Sequence, residues 1–133
     1  MQLHEIRKAL HGEAYDFLRT NPHLGSRVML LGLGGSHAYG TDTETSDLDI
    51  RGCAVLSKAE ILCGESFEQV TDVATDTTIY AFPKLIHLLK DCNPNTIELI
   101  GLKPEHYLYL SEAGKLLLDN RKLFLSQRAV NSF

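Results

Sequence analysis

Several features that would fix the class of this protein at once are missing from its sequence. No stretch nears the ~20 consecutive apolar residues of a membrane span, and the N-terminal "MQLHEIRKAL" lacks the apolar core of a secretory leader. An intracellular, cytoplasmic protein without a membrane partner is therefore expected. Cysteine is scarce: Cys53, Cys63 and Cys92 are widely spaced, form no C-x-x-C, and read as reduced thiols. His4, His11, His23, His87 and His106 show no metal-ligand spacing. There is no basic excess either. Thirteen Lys and Arg against 17 Asp and Glu leave a formal net charge of -4, which argues against a domain built to grip a phosphate backbone through a broad positive field. Neither repeats nor low-complexity segments occur.

What is present is one domain's worth of chain, 133 residues with 44% hydrophobic content, enough for a single core. Leu3, Ile6, Leu10 and Phe17 fall at helical spacing, so residues 2–19 read as an amphipathic helix, weakened at Gly12 and ended by "TNPHLG". "RVMLLGL", residues 27–33, reads as a buried strand, and residues 47–56 as a second. "SKAEILCG" is a short helix or loop. "FEQVTDVATDTTIYAF" suggests further strand, broken around Asp72 to Thr75. From Pro83 the texture becomes helical. Pro83 sits well at a first helical position, a helix restarts after Pro94, and Ser111 is a plausible N-cap. "SQRAVNSF" has the look of another helix start. That suits either the N-terminal part of something longer or a chain that ends by packing on a partner. The expected fold is α+β: a small mixed twisted sheet carrying a site at one edge, helices on its other face, and a helical C-terminal third.

The chemistry concentrates in "GLGGSHAYGTDTETSDLDIRG", residues 32–52. In a strand, residues two apart share a face, so Asp47 and Asp49 project together while Leu48 and Ile50 turn to the core. Two such carboxylates repel unless a cation or a proton lies between them, and hard oxygen ligands suit Mg²⁺ or Mn²⁺. A solvated strand start with two surface carboxylates is the plain alternative. The glycine turn tips the balance. Gly34, Gly35 and Ser36 directly follow a predicted buried strand, where glycine lets backbone approach a ligand closely and exposed N–H groups can hold an anion. Arg51 shares the parity of Asp47 and Asp49, so it either faces the site, balancing charge or touching phosphate, or lies on the strand surface. His37 and Tyr39 are equally open between nucleotide contact and packing. Asn93-Pro94-Asn95 reads as the join between two helices.

This stretch resembles the signature of the DNA polymerase beta-like nucleotidyltransferase superfamily, in which a G-S turn and short helix precede a D-x-D strand. With "D-x-x-x-Y-x-x-x-K" and "NP" further on, it is most similar to the RNA-repair-pathway polymerase-beta branch, over roughly Leu30 to Leu99. The resemblance implies that Gly35 and Ser36 hold a triphosphate and that Asp47 and Asp49 are metal-binding carboxylates. It also implies a third carboxylate on a later strand, best matched by Asp76, with Asp72 as competitor. Lys84 fits a position that is basic in this branch, beside its plain reading as a solvated helix-start lysine.

The expected function is nucleotidyl transfer: a nucleoside triphosphate and Mg²⁺ (or Mn²⁺), an acceptor hydroxyl, and pyrophosphate as leaving group. RNA, a protein or a small molecule could each supply the acceptor, and the acidic balance leans away from nucleic acid. A nucleotide-binding or interaction module of the same fold that no longer catalyses is the remaining alternative.

Overall fold

The two apolar runs and the Thr-rich run become the middle of a five-stranded mixed sheet with the order β3-β4-β2-β1-β5. Its strands are β1 (Val28–Leu33), β2 (Ile50–Ala54), β3 (Gln69–Asp72), β4 (Thr77–Ala81) and β5 (Tyr107–Leu110). A computed structural model describes residues 3–34, 49–64 and 67–124 of the chain. β2 and β4 run parallel, with Ile50 beside Thr77 and Ala54 beside Ala81. The other pairings, β1 with β2, β1 with β5 and β3 with β4, are antiparallel. A parallel pair needs a crossover. Here it is supplied by helix α3 (Lys58–Cys63) and strand β3, and α3 starts on a capping box between Ser57 and Glu60.

The described residues hold six α-helices: α1 (Leu3–Ala9), α2 (Phe17–Thr20), α3, α4 (Phe82–Lys90), α5 (Pro94–Ile100) and α6 (Glu112–Asp119). The continuous helix expected over 2–19 is broken. Gly12 ends the first turns, a 3-10 turn carries Tyr15 into the core, and the Arg19 guanidinium donates to the carbonyls of Leu10 (2.8 Å) and Gly12 (3.0 Å) across the break. At the C-terminal side, Pro83 and Pro94 open helices as expected and Ser111 caps α6 through Gly114 N–H at 3.1 Å. One element there is not helical. "YLYL" forms β5, which pairs with β1 and makes one border of the sheet.

Helices cover both faces of the sheet, where the sequence had suggested one. On the first face Ile6, Leu10, Tyr15 and Leu18 pack on Leu31, Leu33, Ile50 and Ile79. On the second, Leu85, Leu89, Leu99, Ile100 and Leu117 pack on Leu30, Cys53 and Tyr80. A bulge between Val28 and Leu30 lets Val28 serve the first face while Met29 and Leu30 serve the second. With β1 and β2 central and covered twice, their apolar residues are fully buried, as an unbroken apolar run requires.

Candidate active site

The second face carries the polar chemistry, and it does so at one end of the middle strands. β1 leaves the core at Leu33 and Gly34, and β2 enters it just after Asp49. The two ends are tied by Gly34 N–H donating to the Asp49 carbonyl at 2.7 Å. A Cβ on Gly34 would stand 3.1 Å from Asp49 Oδ2, so the glycine leaves the carboxylate room. The Asp49 side chain is 21% exposed and Arg51, on the same strand face, 24%. Arg51 Nη2 lies 3.3 Å from Asp49 Oδ1 and 3.4 Å from Oδ2. The guanidinium offsets the charge of the carboxylate at the rim of the pocket.

Asp76 arrives from the neighbouring strand. Its carbonyl accepts from Ile50 N–H at 3.2 Å, and the β2–β4 register, extended by one residue, sets Asp49 beside Asp76. Arg51 then pairs with Thr78 and Cys53 with Tyr80. Asp76 does not open the strand, as period-two counting assumed. It is the last residue of the turn before β4, exposed, with a left-handed φ of 50°. Aspartate tolerates that region better than most residues, and such outliers gather at functional sites.

Asp72 has a different task. Its Oδ2 accepts from Thr75 N–H at 3.0 Å and from Thr75 Oγ1 at 2.6 Å, closing the β3–β4 turn. It pairs with Thr77, which is fully buried, so it belongs to the opposite face from Arg51 and Thr78.

Lys84 is not brought to this end. It lies in the first turn of α4, past the far end of β4, 3.9 Å from the exposed Glu68. The strand between it and Asp76 has five residues and so spans about 16 Å. Asp47, Gly35, Ser36, His37 and Tyr39 lie outside the described residues. Among the described residues no group of three or more His, Cys, Asp or Glu is gathered to hold a metal. Asp49 and Asp76 are two of the three expected carboxylates, and their hard oxygens fit Mg²⁺ or Mn²⁺.

Beside Asp49 opens a pocket of about 110 Å³, lined by Leu33, Gly34, Asp49, Arg51, Asn95, Glu98, Leu99 and Leu102. Two of these polar residues, Asn95 and Glu98, were not anticipated as site residues. They lie one turn apart on α5, among Ile97, Leu99 and Ile100, and in sequence look like an ordinary solvated helix face. What brings them to the pocket is the seat of α5. A Cβ on Gly32 would meet the methyls of Leu102 at 2.6 Å and Leu99 at 3.0 Å, so glycine lets the helix end press onto β1. Tyr107 Oη donates to the Leu99 carbonyl at 2.6 Å, and burial raises its pKa to about 12, so it keeps that proton. Asn93 caps the other end of α5 through Thr96 N–H at 3.1 Å.

Compared with known proteins, residues 2–133 match the model of the RNA repair pathway DNA polymerase beta family. The chain belongs to that family. No curated protein and no solved structure matches it. Membership of the RNA repair pathway DNA polymerase beta family covers nearly the whole chain, well beyond the stretch between Leu30 and Leu99 on which the resemblance rested. It places the protein among the polymerase beta-like nucleotidyltransferases. Within that family's frame, Gly34, Asp49 and the start of β4 lie at a single end of the sheet. No helix among the described residues is long and apolar enough to cross a membrane.

Proposed function

We propose that this protein is a metal-dependent nucleotidyltransferase that moves a nucleoside monophosphate from a nucleoside triphosphate to an acceptor hydroxyl and releases pyrophosphate. The observation that carries the proposal is the β2–β4 register, which sets Asp49 and Asp76 side by side next to the Gly34 turn. Asp47, Asp49 and Asp76 would hold Mg²⁺ or Mn²⁺, which when bound draws charge from the triphosphate and acidifies the acceptor hydroxyl.

The chain's own groups have separate tasks. Backbone N–H groups of Gly35 and Ser36 and the Ser36 hydroxyl would bind phosphate oxygens. Arg51 turns its guanidinium to the phosphates and balances the carboxylates, a role for which its planar fork is suited. Asp76, exposed at its turn, faces the acceptor and takes the hydroxyl proton as general base. Because β4 lies on one side of β2 and β1 on the other, the acceptor approaches from β4 and the triphosphate lies toward β1. Positioning and fixed charge supply most of the rate. Lys84 has no part in this arrangement.

We take the acceptor to be an RNA hydroxyl, in keeping with the RNA repair pathway in the family's description, and the compartment to be the cytoplasm, where nucleoside triphosphates and Mg²⁺ are abundant. With a net charge of -4 the domain would take an RNA end locally and without a broad basic field. The test is incubation with labelled nucleoside triphosphates, Mg²⁺ and RNA, protein or small-molecule acceptors, followed by mass analysis. The mass of one nucleoside monophosphate should appear on RNA. Label on a protein or small molecule would overturn the choice of acceptor, and no label with any acceptor would overturn the transferase.

A further inference from the structure

The pocket beside Asp49 has two walls of different chemistry. The sheet wall offers the Gly34 backbone, Arg51 and Asp49, and the helix wall offers Asn95 and Glu98 above an apolar floor of Leu99 and Leu102. We propose that Asn95 and Glu98 recognise the sugar hydroxyls of the donor nucleotide and so make the enzyme select ribonucleoside over deoxyribonucleoside triphosphates. This rests on the transferase reading above and adds to it a determinant of substrate choice.

Three observations lead there. The first is size. About 110 Å³ is well under the ~300–1,000 Å³ of pockets that enclose whole small molecules. The pocket has room for one small polar group such as a sugar edge, with the base left outside. The second is charge. The oxygens of the Glu98 carboxylate accept hydrogen bonds, and a phosphate beside them would meet like charge. Hydroxyl groups, which donate, are its natural partners, and the Asn95 amide both donates and accepts. The phosphates belong instead at the opposite wall, by Arg51 and the glycine turn. The third is rigidity. α5 is held by Leu99 and Leu102 on Gly32, by Tyr107 on the Leu99 carbonyl and by the Asn93 cap. A polar pair on a fixed helix can discriminate by geometry: Glu98 is half-buried and Asn95 exposed at the pocket mouth, and a hydroxyl that is missing costs them a hydrogen bond. The wall also stands on the β1 side of β2, the side away from Asp76, so it meets the donor nucleotide and not the acceptor.

The test is calorimetric titration of the intact chain with the four ribonucleoside triphosphates and with their 2′-deoxy and 3′-deoxy counterparts, all with Mg²⁺. Wild type, Glu98→Gln, Asn95→Ala and Asp49→Asn are compared, with Mn²⁺ affinity measured separately. The wild type should bind its preferred ribonucleotide about ten- to hundredfold more tightly than at least one deoxy form, the range of a hydrogen bond to a charged group. Glu98→Gln should cut that ratio several-fold and leave affinity for the deoxy form unchanged. Asn95→Ala should cut it less, and Asp49→Asn should weaken both forms alike. Equal wild-type binding of ribo and deoxy forms would overturn the inference and leave the transferase standing. So would a Glu98→Gln variant that weakens both forms equally or loses Mn²⁺, since Glu98 would then serve the metal. No metal-dependent binding of any nucleotide to the wild type would overturn both readings.

Discussion

The parallel pair β2–β4 has two ends that differ in kind. At its start both strands are preceded by an aspartate, Asp49 and Asp76, and the next strand over ends in Gly34. At its finish both strands end in buried alanines, Ala54 and Ala81, and the chain turns directly into packed structure, with Val55 N–H on the Arg27 carbonyl and α4 starting at Phe82. The same backbone pairing thus serves two purposes. One end is finished for packing. The other is left polar, with an aspartate just before each of the paired strand starts and Gly34 beside Asp49. Parallel strands make this possible, because strand starts, and whatever precedes them, lie side by side.

The contrast can be broken most sharply at Asp49. Asp49→Asn should lower nucleotidyl transfer by about a thousandfold, the upper range for losing one electrostatic stabiliser of a transition state. The fold should survive, as seen by circular dichroism and an unchanged Tm, because the side chain lies at the rim of the core. Next comes Asp76 against Asp72, neighbours that the sequence alone hardly separates. Asp76→Ala should slow single-turnover transfer by about a hundredfold, in the range of general-base catalysis, and change stability little. Asp72→Ala should leave the rate near wild type and cost about 1–2 kcal/mol of unfolding free energy in urea titration, from the two hydrogen bonds it gives the turn. The reverse outcome would assign the third carboxylate to Asp72.

A smaller effect is expected at Gly32. Gly32→Ala should cost about 1 kcal/mol by overpacking and should also blunt the ribose preference, since the Leu99 and Leu102 methyls that floor the pocket must shift. Thermal unfolding and the ribo-to-deoxy affinity ratio check both halves. The smallest effect belongs to the far end. Lys84→Ala should change stability by less than about 0.5 kcal/mol, as its pair with exposed Glu68 is long and solvated, and should leave transfer rates within about twofold.

Much of this arrangement was legible in the sequence, for definite reasons. "VMLLGL" is apolar throughout because β1 is buried on both faces, and Asp49 was legible as a strand-start carboxylate from the period of two. The helix starts at Pro83, Pro94 and Ser111 were legible because capping is local. Other features depended on tertiary structure. β5 is four residues long between helical segments, and "YLYL" becomes a strand only because β1 offers it a partner. Asp76 fell at the strand start by parity counting, but parity assumes extended backbone, and a left-handed residue is invisible to it. Lys84 matched a motif by spacing along the chain, and spacing does not tell which end of a sheet a residue reaches. Asn95 and Glu98 follow a helical period that every solvated helix shares. Only the seating of α5 on Gly32 shows that this half-exposed face borders the pocket beside Asp49.

The central claim is that a metal-bound nucleotide sits at the Asp49 end of the β2–β4 pair. Calorimetric titration of Mn²⁺ and nucleoside triphosphate together into wild type, Asp49→Asn and Lys84→Ala tests it most directly. The account requires binding by wild type and by Lys84→Ala with the same affinity, and a loss of at least about tenfold in Asp49→Asn. Wild-type affinity in Asp49→Asn, or loss of binding in Lys84→Ala, would contradict it.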